Sequence, residues 1–237
     1  MDVNAPDKPG SERIDDLKPY LEATKAIDSK HKRIREVALR LTSQLKREPE
    51  KARALFYFVR DDISYNVYMI STYFEDFIAS RILEWKKGYC VQKAVLLAAL
   101  ARTIEIPSRL AFAKIRNHKI PKELVNQTGL DILPSHGYTQ LFIDGRWVTV
   151  TPAFDKGLCE RIGVPSVEFD GIHDALLPRY DISGNPYIEY IEKYPPQADL
   201  PFEWLKERLL PRWGEKRAWL TEEDAKGYRL PSGYVFT

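Results

Sequence analysis

Gly88-Tyr89-Cys90 sets a thiol just after a glycine turn and at the head of an apolar run, Val91, Ala94 to Leu97, Ala98 to Ala101. Such a run predicts a helix buried on most sides, whose first turn carries unpaired backbone N–H groups and the positive end of the helix dipole. Both favour an anion. The thiolate is the nucleophilic form of cysteine, and a helix N-terminus or a nearby imidazolium lowers its pKa. A catalytic thiol also needs a base, and His136 stands after Pro134-Ser135 at the entrance of a β-rich run. A strand start is a rigid mount for an imidazole. Taken singly, each residue has a plainer role: Cys90 as a small buried hydrophobe, His136 as a satisfied structural residue.

The elements that must hold this pair are legible from periodicity. Ile34, Val37, Ala38, Leu41 and Leu45 share one face of a helix. Lys30, Lys32, Arg33, Arg35 and Arg40 alternate with that stripe and are expected to form a solvated face, not a nucleic-acid surface. Pro49 suits the first turn of a second helix with the stripe Ala52, Leu55, Phe56, Val59, ending near Asp61-Asp62. A third helix is expected over Phe74 to Trp85, stopping at Lys86-Lys87-Gly88. Cys90 to Arg102 is the central helix. Arg109 to Ala113 reads as a short strand, Lys114 to Ser135 as a polar, site-bordering connection, and Gly137–Ile143 with Arg146–Val150 as a hairpin. Asp144-Gly145 between them suits a type I′ turn. From Cys159 the pattern breaks into Gly/Pro-punctuated pieces, with one more helix over Phe202 to Leu210. Helices followed by antiparallel strands predict an α+β fold, the central helix packed on the sheet. The expected organisation is an N-terminal extension at 1–30, a core at 31–158, and a C-terminal extension at 159–237 wrapped on the same domain.

Composition removes other classes of function. The 237 residues carry 36 Lys and Arg against 34 Asp and Glu, a net charge of +2 that recommends neither nucleic acid nor an anionic membrane. With 44% apolar residues the chain is expected to be globular. Two cysteines build no disulfide framework and fit a reducing compartment; with no apolar leader in Met1–Ser11, a cytoplasmic protein is expected. Asn126-Gln127-Thr128 matches a glycosylation acceptor, without consequence in such a protein. His118, His173 and Cys159 could be recruited with Cys90 and His136 to a metal, but the separations are irregular and the familiar ligand spacings are missing. No metal and no cofactor is expected. Nucleotide-binding glycine loops and the serine-hydrolase elbow are also absent.

These pieces together resemble the transglutaminase-like superfamily, thiol enzymes related to papain. The resemblance spans about Lys51 to Asp155. It rests on Lys51-Ala52-Arg53-Ala54-Leu55-Phe56-Tyr57-Phe58-Val59-Arg60, Gly88-Tyr89-Cys90, Leu97-Ala98-Ala99-Leu100-Ala101-Arg102, Ile106-Pro107-Ser108-Arg109, His136-Gly137-Tyr138 and Gly145-Arg146-Trp147. Their order and the 46-residue step from Cys90 to His136 carry it, more than any one piece. The resemblance implies a papain-like, transglutaminase-core fold and a Cys-His-Asp triad. Cys90 would be the nucleophile and His136 the base. The family's Asp usually lies in an Asp-Pro pair after the second hairpin strand, where this chain has Thr151-Pro152, with Asp155 four residues on. Asp155 is the expected orienter of the imidazole and Thr151 the alternative. Asp144 is needed in the turn, and Gln140 stands where many relatives have Glu.

The chemistry implied is acyl transfer. Cys90 attacks an amide, ester or thioester carbonyl, and His136 takes and returns the proton. The Cys90 N–H would be one oxyanion donor, and the second is open, Tyr89 or a residue near Trp85 being conceivable. The expected substrate is an amide, peptide or acyl-thioester. Hydrolysis is favoured; transglutaminase-type transfer to an amine, or a non-catalytic binding module that keeps the fold, are the alternatives. Tyr65, Tyr68, Tyr73 and Phe74 could line a cleft but are expected to pack on the central helix.

Overall fold

In the computed structural model, residues 14–120, 125 and 131–218 are described. The Asn126-Gln127-Thr128 site and the Met1–Ser11 stretch lie outside them.

The first two predicted helices are present as α1 (Lys32–Thr42) and α2 (Glu48–Tyr57). α1 buries Ile34 and Ala38 and leaves its basic residues exposed, with Arg33 paired to Glu84. α2 passes into a turn of π-helix, Phe58–Asp62. π-turns widen the hydrogen-bond ladder and often sit at special positions. Here the carbonyls of Arg60 and Ile63 receive the ammonium of Lys93, at 3.0 and 2.5 Å.

The helix expected over Phe74 to Trp85 is split into a 3-10 turn, Phe74–Phe77, and α3 (Ala79–Trp85). Ile78 between them is extended. α3 ends on Lys86, not on glycine; Lys86 takes the left-handed conformation at φ 53° and bonds back to Ile82 O. Lys87-Gly88 then pairs in parallel with Ser64-Tyr65, which fixes the approach to Cys90.

α4 (Cys90–Thr103) is the central helix, with every residue from Cys90 to Arg102 buried. The Gln92 side chain accepts from Tyr89 N and so closes its first turn. At its far end Arg102 donates to Ser108 Oγ and to the carbonyls of Ser108, Glu22 and Ala198, joining the N-terminal segment, the first strand and the C-terminal part.

The sheet is antiparallel, in the order β3-β2-β1-β4, formed by β1 (Ser108–Asn117), β2 (Ile132–Ile143), β3 (Arg146–Val150) and β4 (Ile188–Lys193). β1 and β2 run further than their apolar cores, so strand occupies both ends of the expected Lys114–Ser135 connection. The extra residues are Lys114 to Asn117 and Ile132 to Ser135, carried by ladder pairing on partner strands instead of by their own pattern. Asp144 and Gly145 both have positive φ, 48° and 82°, as a type I′ turn needs. Thr139 Oγ1 donates to Ala94 O, so the face with Gly137, Thr139 and Leu141 meets α4. The other face carries His136, Tyr138 and Gln140, opposite Ala113, Ala111 and Arg109. The protein is thus α+β, helices on an antiparallel sheet.

The C-terminal part wraps back. α5 (Lys156–Ile162) packs by Cys159, β4 joins the sheet edge, and α6 (Phe202–Trp213) lays Trp204 on Phe112 at 5.1 Å. α6 runs past the expected Leu210 because Pro211 is carried in its last turn. Lys216 donates to the carbonyls of Tyr68 and Ile70. Among the described residues no helix is long and apolar enough to cross a membrane.

Candidate active site

Cys90 is the first residue of α4, and the backbone N–H groups of Gly137, Val91 and Cys90 itself lie near enough to its sulfur to pull the thiol's pKa down. Gly137 follows His136 on β2. The close approach has a steric condition: a Cβ on Gly137 would lie 2.8 Å from Val91 Cγ2 and 2.9 Å from Val91 Cα. Only glycine lets the strand come this near the helix. The register between β1 and β2 shifts after Ala113, between the pairs with His136 and Leu133, so an extra residue of β2 sits at Pro134-Ser135. A bulge re-aims the next side chain, and proline, which cannot donate to a ladder, is tolerated there.

Both groups are almost sealed, Cys90 at 6% exposure and His136 at 2%. Burial pushes the Cys90 thiol up to about 11, against the opposing pull of the three N–H groups and of Lys93. Burial also pushes the His136 imidazole down to about 3. At neutral pH the resting pair is therefore thiol and neutral imidazole. The favourable helix terminus is present as expected, but desolvation outweighs it. His136 Nε2 is buried without a hydrogen-bond partner.

Asp155 makes no hydrogen bond to the imidazole. One carboxylate oxygen accepts from Tyr65 N at 2.9 Å, and the other caps α5 through Leu158 N at 2.8 Å. The same carboxylate is the leading counter-charge to Lys93, whose ammonium burial pulls down to about 7. The expected orienting bond from Asp155 to His136 is thus not formed, because Asp155 opens a helix and neutralises a buried lysine. Thr151 directly follows the end of β3, whose last residue Val150 pairs with Thr139, and its N–H bonds Ala175 O. Its hydroxyl is buried with no partner at hydrogen-bonding geometry, although it lies near enough to the Tyr190 phenol to help hold that phenol's pKa down.

Sequence reading missed Tyr190. Its ring meets His136 edge-on at 6.3 Å, while Tyr138 stacks on the imidazole at 6.0 Å. Nothing in the loosely patterned C-terminal part marked it; only the pairing of β4 with β1 brings it to the site. Tyr89, considered as an oxyanion donor, sends its ring toward Phe77 at 6.1 Å, its hydroxyl buried without a partner. Tyr68 is buried, and Tyr65, Tyr73 and Phe74 are partly so; Phe74 packs on Phe202. His118 faces Glu189 and His173 faces Asp170. Among the described residues no group of three or more His, Cys, Asp and Glu is placed to hold a metal.

Residues 35–152, about half the chain, match the model of the transglutaminase-like superfamily core. The chain belongs to that superfamily. Its sheet and central helix are the papain-like, transglutaminase-core arrangement. Comparison with curated proteins returns no match. Among solved structures, the chain is similar to a candidate cysteine protease from Cytophaga hutchinsonii, at 14% identity and TM-score 0.48, over 80% of this chain and 57% of that one. It is also similar to a candidate protease from Parabacteroides distasonis, at 17% identity and TM-score 0.35, over 56% of this chain and 24% of that one. A structure named only as a TGase follows, at 12% identity and TM-score 0.35, over 63% of this chain and 36% of that one. The chain spans little more than half of the first of these proteins and about a third or less of the other two.

Proposed function

We propose that the protein is a thiol-dependent acyl-transfer enzyme, with hydrolysis as its main outcome. Cys90 attacks the carbonyl of an amide, ester or thioester, and its proton passes to His136 as the S–C bond forms. His136 returns the proton to the departing amine, alcohol or thiol. Water, deprotonated by the same imidazole, then releases the acid and restores the thiol. The observation that carries this reading is that the N–H of Gly137, the residue next to the base, lies near enough to the Cys90 sulfur to pull its pKa down.

Because both groups are neutral at rest, proton transfer accompanies attack; no preformed thiolate–imidazolium pair is needed. The N–H groups near the sulfur are suited to charge that develops during the reaction, which is where such donors contribute most. For the orienting role Thr151 has a buried, uncommitted hydroxyl, whereas Asp155 would have to give up two backbone bonds. A hydroxyl holds the imidazole without supplying counter-charge.

Two observations favour a second reading, a binding module: no carboxylate among the described residues bonds the imidazole, and burial holds the thiol protonated. Incubation with p-nitrophenyl acetate, followed by intact mass and peptide mapping, separates the two. An enzyme carries an acetyl group on Cys90 that water removes; a binding module stays unmodified. Adding a primary amine distinguishes the acceptor, since preferential consumption of the acyl-enzyme by the amine would replace hydrolysis with transglutaminase-type transfer.

A further inference from the structure

β4 lies beyond residue 152, outside the matched core, and brings a residue of its own to the site. Two register irregularities meet on β1 at Lys114 and Ile115. On one side the pairing steps from His136 to Leu133; on the other, Glu192 and Tyr190 face Lys114 and Ile115, leaving Ile191 as the extra residue. Extra residues of this kind bend a strand and turn its side chains. Between the two sides stands Ala113, a side chain small enough for a tyrosine ring to reach across.

The result is an imidazole held by two phenol rings. Tyr138 stacks on its face at 6.0 Å and 27°, and Tyr190 meets it edge-on at 6.3 Å and 73°. The two tyrosines touch each other at 6.5 Å. Tyr190 is the outermost of the three, only partly buried where His136 is 2% exposed. Its hydroxyl accepts from Leu177 N at 3.3 Å, which anchors the ring from the far side.

We infer that Tyr190 is a positioning residue for His136, holding the imidazole in place where no carboxylate among the described residues bonds it and covering it from solvent. The inference rests on the reading of Cys90 and His136 as nucleophile and base. Of the titratable and charged groups, Tyr138 on its own strand and Tyr190 on β4 meet the imidazole ring, Lys193 on β4 pairs with Ala113 and lies over the Tyr190 ring, and Cys90 at the head of α4 is near enough to Tyr190 to act on that phenol; β1 presents uncharged Ala113.

The test is an NMR titration of 15N-histidine protein between pH 4.5 and 8, on wild type, Tyr190→Phe and Tyr190→Leu. Wild type is expected to stay neutral at His136 throughout. Tyr190→Phe keeps the ring and should titrate within about half a pH unit of wild type. Tyr190→Leu keeps apolar volume without the ring edge, and should bring a His136 midpoint into the window with a change in tautomer populations. The same variant should alkylate Cys90 with iodoacetamide at pH 7 at least about tenfold faster, while Cys159 is unchanged. A Tyr190→Leu protein whose His136 titration and tautomer equal those of wild type would overturn the inference, even if its melting temperature fell. Repeating the titration on Cys90→Ala keeps the two ideas apart. The Tyr190 contact is read there with no thiol present, whereas the catalytic reading fails if Cys90→Ala still turns over p-nitrophenyl acetate at the wild-type rate.

Discussion

The backbone N–H of Gly137 lies near enough to the sulfur of Cys90 to pull the thiol's pKa down, and Gly137 directly follows His136 on the second strand. The approach is possible because position 137 has no side chain: an added Cβ would fall 2.9 Å from Val91 Cα. Gly137→Ala is therefore expected to destabilise the fold by about 1–3 kcal/mol, the usual cost of overpacking, and to slow acylation of Cys90 by more than its loss of stability explains. Thermal unfolding with acylation kinetics on the folded protein checks both. A variant as stable and as reactive as wild type would show that strand and helix have room to spare.

Thiol reactivity should follow pH in a definite way. With Cys90 held up to about 11, its alkylation rate in the resting protein should climb roughly tenfold per pH unit from 7 toward 10. Peptide mapping after brief iodoacetamide pulses reads the rate. A plateau already at pH 7 would mean that the thiolate is formed at rest and that burial does not dominate.

His136 should make folding sensitive to acid. Its folded value, about 3, lies below the ordinary 6.5, so the unfolded chain binds the extra proton first. The contribution to stability is complete above about 6.5 and is lost as pH falls toward 3, with a size of a few kcal/mol. Cys90 acts in the opposite sense at high pH, where stability falls between its ordinary 9 and about 11. Urea unfolding at pH 4.5 and 7 should show a smaller acid loss in His136→Leu than in wild type. An equal loss in both would assign the effect to other groups.

Asp155 and Thr151 should separate cleanly. Asp155→Ala removes a helix cap, worth about 1 kcal/mol, and the leading counter-charge of Lys93, so it should lower the melting temperature and shift the Lys93 equilibrium further toward the neutral amine. Acetylation of Cys90 by p-nitrophenyl acetate should stay within about threefold of wild type. Thr151→Val should keep the fold and slow acetylation about tenfold or more. A thousandfold loss in folded Asp155→Ala would restore the aspartate to the orienting role.

What the sequence disclosed, and what it hid, follows from the range of the forces involved. The central helix and its head residue are written in a local apolar run, and the Asp144-Gly145 turn in local backbone preference, so both were legible. The Ile78 break and the Lys86 end of α3 come from how that segment meets the core, where an αL lysine is tolerated in place of glycine. Asp155 reads as an orienter because it is the carboxylate nearest in sequence to Thr151-Pro152; its actual partners, Tyr65 N and Lys93, are 90 and 62 positions away. Tyr190 was invisible for the same reason, since its role depends on two bulges and a strand pairing that carry no periodic signal.

The most direct measurement is the mass of Cys90 during turnover. Wild-type protein quenched in acid within seconds of mixing with p-nitrophenyl acetate should show one acetyl group on the Cys90 peptide and none on Cys159. The adduct should disappear on standing in water, form far more slowly in His136→Ala, and be absent in Cys90→Ala. Acetylation that is equal on both cysteines, or indifferent to His136, would contradict the pairing of this thiol with this imidazole.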